Sequence, residues 1–236
     1  MGVQMSAVAV SSTLARGVSF YTSTVGKKAV MAITGIVLFG FLLGHMAGNL
    51  QFFLGPDVLN GYAENLRHMP ALLWTARIGL IIAAILHIAS SISLARTKNN
   101  ARPVGYVRKR NVGSTYASRT MYWSGPIVLA FLIYHLLHMT FGTVHPRFRV
   151  LHAYENLVIG FSNPIVAIAY IISILLLGMH LYHGLWSMFQ TLGASHPTYT
   201  PKLKAFAKTF TVIIVLGFIS VPIAILAGIR PGYDLV

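Results

Sequence analysis

Four histidines stand in the most apolar stretches of the chain: His45 in GFLLGHMAGNL, His87 in AAILHIASS, His135 in FLIYHLLHM and His180 in LGMHLYHGL. An ionisable side chain in hydrocarbon is costly and calls for a named partner. Carboxylates are not available, because Asp57, Glu64, Glu155 and Asp234 are the only acids and all lie outside the apolar stretches. A carboxylate relay of the kind expected in a proton-coupled transporter therefore has nothing to be built from. The chain also has no cysteine, which excludes disulfides, Cys-ligated iron–sulfur clusters and covalent C-x-x-C-H haem attachment. Neutral imidazole as an axial ligand to haem iron answers the question. The iron takes one ring nitrogen, and the other can bond a backbone carbonyl. A single histidine is equally well read as a hydrogen-bonded link between helices, but four on four consecutive apolar spans are not.

The elements that must position them follow from composition. The chain is 56% hydrophobic and 9% charged, with a mean hydropathy of +0.69, whereas soluble domains carry about 25% charged residues. Five apolar runs long enough to cross a bilayer fall at about 29–53, 70–95, 120–142, 163–189 and 206–229. They imply an all-α integral membrane protein, five transmembrane helices in an up-and-down bundle, as one domain over residues 1–236. The opening MGVQMSAVAVSSTLARGVSF has no charged start before an apolar core, so no cleaved signal is expected. No Gly-rich nucleotide loop occurs, and flavin or iron–sulfur chemistry would belong to another chain.

Charge placement gives the orientation. Arg16, Lys27 and Lys28 precede the first span; Arg96, Lys98, Arg102, Arg108, Lys109, Arg110 and Arg119 lie between the second and third; Lys202, Lys204 and Lys208 lie between the fourth and fifth. The other face holds Arg67, Arg147, Arg149 and Arg230, with Arg77 inside the second span. The positive-inside rule puts the N-terminus in the cytoplasm and the C-terminus outside. The net charge of +14 is thereby assigned to membrane topology and an inner-face partner rather than to nucleic acid.

Each of the four histidines lies late in its span. The first and third spans run outward, so His45 and His135 fall toward the outer face; the second and fourth run inward, so His87 and His180 fall toward the cytoplasm. Two bis-histidine haem sites at two levels follow, roughly 13 Å apart at ~1.5 Å rise per residue. Gly35 precedes His45 by ten residues, as Gly125 precedes His135. Such glycines admit either a flat macrocycle or a neighbouring helix.

The segments TGIVLFGFLLGHM, GPIVLAFLIYHLLHM and HLYHGLWSMFQTLG resemble the diheme cytochrome b membrane anchor of succinate dehydrogenases and fumarate reductases. The resemblance runs over all five spans, from about residue 20 to 229. It implies a subunit of the bacterial inner membrane that binds two haems b and a quinone (menaquinone or ubiquinone). It also implies a membrane-lipid setting and two partners, a flavoprotein with FAD and an iron–sulfur protein docked on the basic cytoplasmic face. The dicarboxylate site would lie outside this chain. A stand-alone diheme carrier and a fumarate reductase anchor are the alternatives.

Periodicity does not choose between His135 and His138, or between His180 and His183, because residues three apart share a helix face. The resemblance selects His135, ten residues after its glycine and before a leucine. It selects His180 as well, four residues before Gly184-Leu185-Trp186. His138 and His183 then become haem surroundings or interfacial histidines. Arg119 and Gln190 at the inner ends of the third and fourth spans, and Arg77 toward the outer face, are candidate propionate partners. Glu64, Arg67 and His68, just before the second span, are candidates for handling quinone protons, with an ordinary polar loop as the alternative. His68, His145, His152 and His196 are expected in solvated loops. Some fumarate-reducing anchors have a buried acid two residues before the fourth-span ligand; here that residue is Gly178, which favours succinate oxidation.

Overall fold

The computed structural model describes residues 19–101, 104 and 116–232. Arg16, Arg102, Arg108, Lys109, Arg110 and Asp234, used above for orientation and charge, lie outside the described residues. Helix α1 spans Thr24–Leu50 and runs into a 3₁₀ turn, Gln51–Leu54. Then come α2 (Pro56–His68), α3 (Pro70–Asn100) and α4 (Tyr116–His135), the last continued by a π-turn over Leu136–Thr140. Helices α5 (Ala153–Phe161), α6 (Pro164–Thr191) and α7 (Thr200–Leu226) complete the chain, and no strand occurs among the described residues. Helices α1, α3, α4, α6 and α7 are each long and apolar enough to cross a membrane. The chain is an all-α, multi-pass membrane protein.

Helix ends depart from the apolar runs for a physical reason. Apolarity marks the hydrocarbon, whereas the helical ladder continues until something breaks or caps it. So α3 continues through Arg96–Asn100, and α7 starts at Thr200 with Pro201 in its first turn, where a missing N–H costs nothing. Two short helices replace the expected outer loops. Gly55, at φ +98°, turns the chain, Pro56 opens α2 and Asp57 sits in its first turn. That Gly-Pro-Asp start signal was present in the sequence, but thirteen mostly polar residues do not register as an apolar run.

Helix α1 packs against α3, α6 and α7, and α6 packs against α4 and α7. Three sides of a four-helix ring (α3–α1, α1–α6, α6–α4) are thus closed, with α7 laid along both α1 and α6. The α3–α4 side is not closed by helix packing among the described residues; near the C-terminal end of α3 the Lys98 ammonium reaches over the Tyr122 ring at 5.3 Å. Small residues set the close sides. A Cβ on Gly178 would stand 2.6 Å from Val215 Cγ2, and Gly217 of α7 seats the Met46 thioether. On α3, Ala83 and Ser90 are buried while Ile78, Ile81, Ile82 and Ile85 are exposed, the inverted pattern of a lipid-facing helix.

The largest buried apolar cluster is at the end of the bundle that carries α2 and α5. Phe52, Leu59, Tyr154, Val158 and Phe161 pack there on Tyr170, Ile174, Val221 and Ile225. Asn60 ties α2 to α5, accepting from the Tyr154 N–H at 2.9 Å and donating to Glu155 at 3.0 Å. The Tyr154 hydroxyl donates to the Pro231 carbonyl at 2.7 Å. Gly178→Val is expected to overpack the α6–α7 contact and cost about 1–3 kcal/mol. Gly40→Ala, where a Cβ meets nothing within 4 Å, is expected to melt no lower than the parent. Thermal melts in detergent compare the two.

Candidate functional site

His45 on α1 and His135 on α4 face each other with ring centroids 5.8 Å apart and planes at 75°. His87 on α3 and His180 on α6 do the same at 6.4 Å and 56°. Neither α1 and α4 nor α3 and α6 pack along each other. They are opposite corners of the ring, and the imidazoles reach across its interior. The levels are separated along the membrane helices. Thr34 Oγ1 is 3.2 Å from His87 Nδ1, and a Cβ on Gly35 would lie 3.6 Å from the same ring. The His87 level on α1 is therefore ten to eleven residues before His45, or roughly 16 Å at ~1.5 Å per residue. This exceeds the ~13 Å expected from sequence, because distance to the end of an apolar run is a poor gauge of depth when the helices outrun it.

Two imidazoles on opposite sides of one iron, each with a metal–nitrogen distance of roughly 2 Å plus a ring radius, have centroids roughly 6 Å apart. Both pairs meet that spacing. Among the described residues no group of three or more His, Cys, Asp or Glu gathers to hold a metal ion. Bare structural or catalytic zinc takes three or four protein ligands, whereas an iron whose equatorial positions belong to a porphyrin asks for two. The donor set fits haem. His135 Nδ1 and His180 Nδ1 are buried without a hydrogen-bond partner among the described residues, while Gly35 leaves room for the His87 ring and Gly125 faces no atom within 4 Å.

The π-turn distinguishes the two helix α4 histidines. It begins directly after His135, and the Phe141 N–H reaches back five residues to the Leu136 carbonyl at 2.9 Å. The extra residue per turn swings His138 away from His135. His138 is fully buried, with Nδ1 3.0 Å from the Tyr170 hydroxyl and its ring stacked on Tyr134. Tyr170 also packs edge-on against His135 at 5.9 Å, so the phenol lies against both histidines.

His145 is a correction. It is buried rather than solvated: Nε2–H donates to the Asn156 carbonyl at 3.0 Å and Nδ1 accepts from the Arg147 N–H at 3.2 Å. The neighbours of His145 in GTVHPRF gave no hint that this loop folds inward. Gly160 supplies the space, since a Cβ there would stand 2.9 Å from His138 and 3.2 Å from His145. His68, His152 and His196 are exposed, as expected.

Of the remaining candidates, only His183 lies near enough to a pair member, His180, to interact with it among the described residues. His183 is half-buried one turn beyond His180 on α6. Arg77 is exposed with its guanidinium 5.3 Å over Trp74, Arg119 is exposed 5.9 Å over Tyr116, and Gln190 is exposed near the end of α6. Glu64 and His68 form an exposed pair at 3.6 Å near the end of α2, with Arg67 exposed between them; they lie on a helix and not in a loop. At Gly178, Val215 fills the space an acidic side chain would need. Sequence reasoning missed Thr34 and Tyr170; a lone hydroxyl beside a glycine in an apolar run was the available signal for Thr34. The chain matches no protein-family model, no curated protein and no solved structure. Tyr170→Phe is expected to leave His138 Nδ1 unpaired and cost about 1–3 kcal/mol, read as a lower melting temperature.

Proposed function

We propose that this chain is the haem b-binding membrane anchor of a succinate:quinone oxidoreductase, joining an iron–sulfur partner to a membrane quinone. The observation that carries the reading is the meeting of His45 with His135 and of His87 with His180 across the ring, at two depths. The resemblance of the histidine-bearing segments to diheme cytochrome b anchors adds the partners: an iron–sulfur protein and an FAD flavoprotein at the cytoplasmic face. In this reading His45 and His135 hold an outer haem b, and His87 and His180 an inner one. Haem b, when bound, supplies reversible one-electron chemistry. The chain's own residues ligate, orient and shield: the exposed isoleucines meet lipid, Phe41 stacks on His45 at 5.2 Å, and Phe218 lies 5.7 Å from it.

The basic loops support an inner face toward the cytoplasm of a bacterial inner membrane. The crowded Gly178 position supports the succinate-oxidising direction. The quinone, menaquinone or ubiquinone, is assigned to the outer side, where Glu64, Arg67 and His68 exchange its protons. A stand-alone carrier would purify without a flavoprotein, and this protein is expected to bring one with it.

Purified protein is expected to bind two low-spin, six-coordinate haems b per chain by pyridine haemochrome; a ratio near one overturns the two-pair assignment. His87→Ala or His180→Ala removes the inner haem, His45→Ala or His135→Ala the outer, and His138→Ala neither. Moving one electron outward to an outer quinone site runs with an inside-negative membrane potential and is worth roughly 2.3 kcal/mol per 100 mV. Succinate:quinone turnover in proteoliposomes is therefore expected to respond to an uncoupler and to fall with Glu64→Gln. Indifference to both places the quinone site on the inner side.

A further inference from the structure

Thr34 is buried on α1, facing α3. Its hydroxyl carries one hydrogen. The Val30 carbonyl lies 2.7 Å from Oγ1 and the Met31 carbonyl 3.2 Å, and carbonyls only accept. The hydroxyl hydrogen is committed to them, the usual back-bonding of a helical threonine. The third contact, to His87 Nδ1 at 3.2 Å, then requires an N–H on the imidazole and a lone pair on Thr34, and the Met31 backbone, which also hydrogen-bonds His87, is a second acceptor for the same ring. A neutral imidazole has one N–H, so Nε2 is left as a bare lone pair.

We infer that Thr34 is a positioning residue that holds His87 in the one tautomer whose Nε2 can ligate iron opposite His180. The inference rests on the haem-binding reading above. The same N–H···O bond makes the imidazole a more basic ligand, which stabilises the ferric state. None of the other three ligands has this arrangement. His135 and His180 have no partner at Nδ1 among the described residues. The Asn49 amide lies 3.4 Å from both ring nitrogens of His45 and donates instead to the His45 carbonyl at 2.8 Å. The device therefore belongs to the inner site alone, and it couples the α1–α3 contact to the electronic character of a ligand on α3.

The test uses the purified full chain with its bound haem, in three forms: unchanged, Thr34→Val and Thr34→Ser. Valine keeps the shape and removes the hydroxyl; serine keeps the hydroxyl. Optical redox titration and low-temperature EPR of the ferric haems resolve the two sites. The expected result is a higher midpoint potential and an altered EPR signal for the inner haem in Thr34→Val, an unmoved outer haem, and a Thr34→Ser protein that behaves like the parent. Loss of the inner haem in valine alone supports the inference equally. An inner haem unmoved by valine, or moved or lost alike by valine and serine, overturns the inference and leaves the haem reading standing. An unchanged protein without haem overturns both.

Discussion

A polar side chain inside hydrocarbon has no water to turn to, so each one must find its partner within the protein or hold a ligand. That constraint organises the interior of this bundle. His87 is answered by Thr34, His138 by Tyr170, and His145 by the Asn156 carbonyl and the Arg147 N–H. His135 and His180 are not answered in this way among the described residues; each meets another imidazole across the ring instead, His45 and His87 respectively. The unanswered groups are the chemically informative ones.

The helix packing is arranged around that space. Glycine and small residues bring α6 and α7 together, with Gly178 against Val215 and Gly217 against Met46. Helix α7 brings no histidine to the pairs and acts as a buttress along α1 and α6. The histidine-bearing helices sit at opposite corners, far enough apart for side chains rather than backbones to meet. The aromatic-rich cluster of Phe52, Tyr154, Phe161 and Tyr170 closes the end that carries α2 and α5, and Asn60 fastens it.

Two histidine pairs that look alike in sequence have different surroundings. The outer pair is bordered by rings: Phe41, Phe131, Phe218 and Tyr170. The inner pair has a hydroxyl acceptor on one member and none on the other. The two pairs thus differ in what surrounds them although their sequences look alike.

The five membrane helices were legible in the sequence because hydrocarbon selects composition, and composition is local. The four histidines stood out for the same reason, as groups whose cost in lipid shows at a glance. Their alternation between two depths followed from chain direction alone. The tertiary structure decided the rest. Whether His135 or His138 faces His45 depends on a π-turn that shifts register by one residue, which no periodicity of the sequence displays. His145 looked solvated because burial of a loop depends on what folds over it, here the Gly160 face of α5. Thr34 became meaningful only when α3 laid His87 beside it, since a hydroxyl's role depends on where its single hydrogen goes. Hydropathy and spacing report what each residue costs in lipid; only packing assigns its partner.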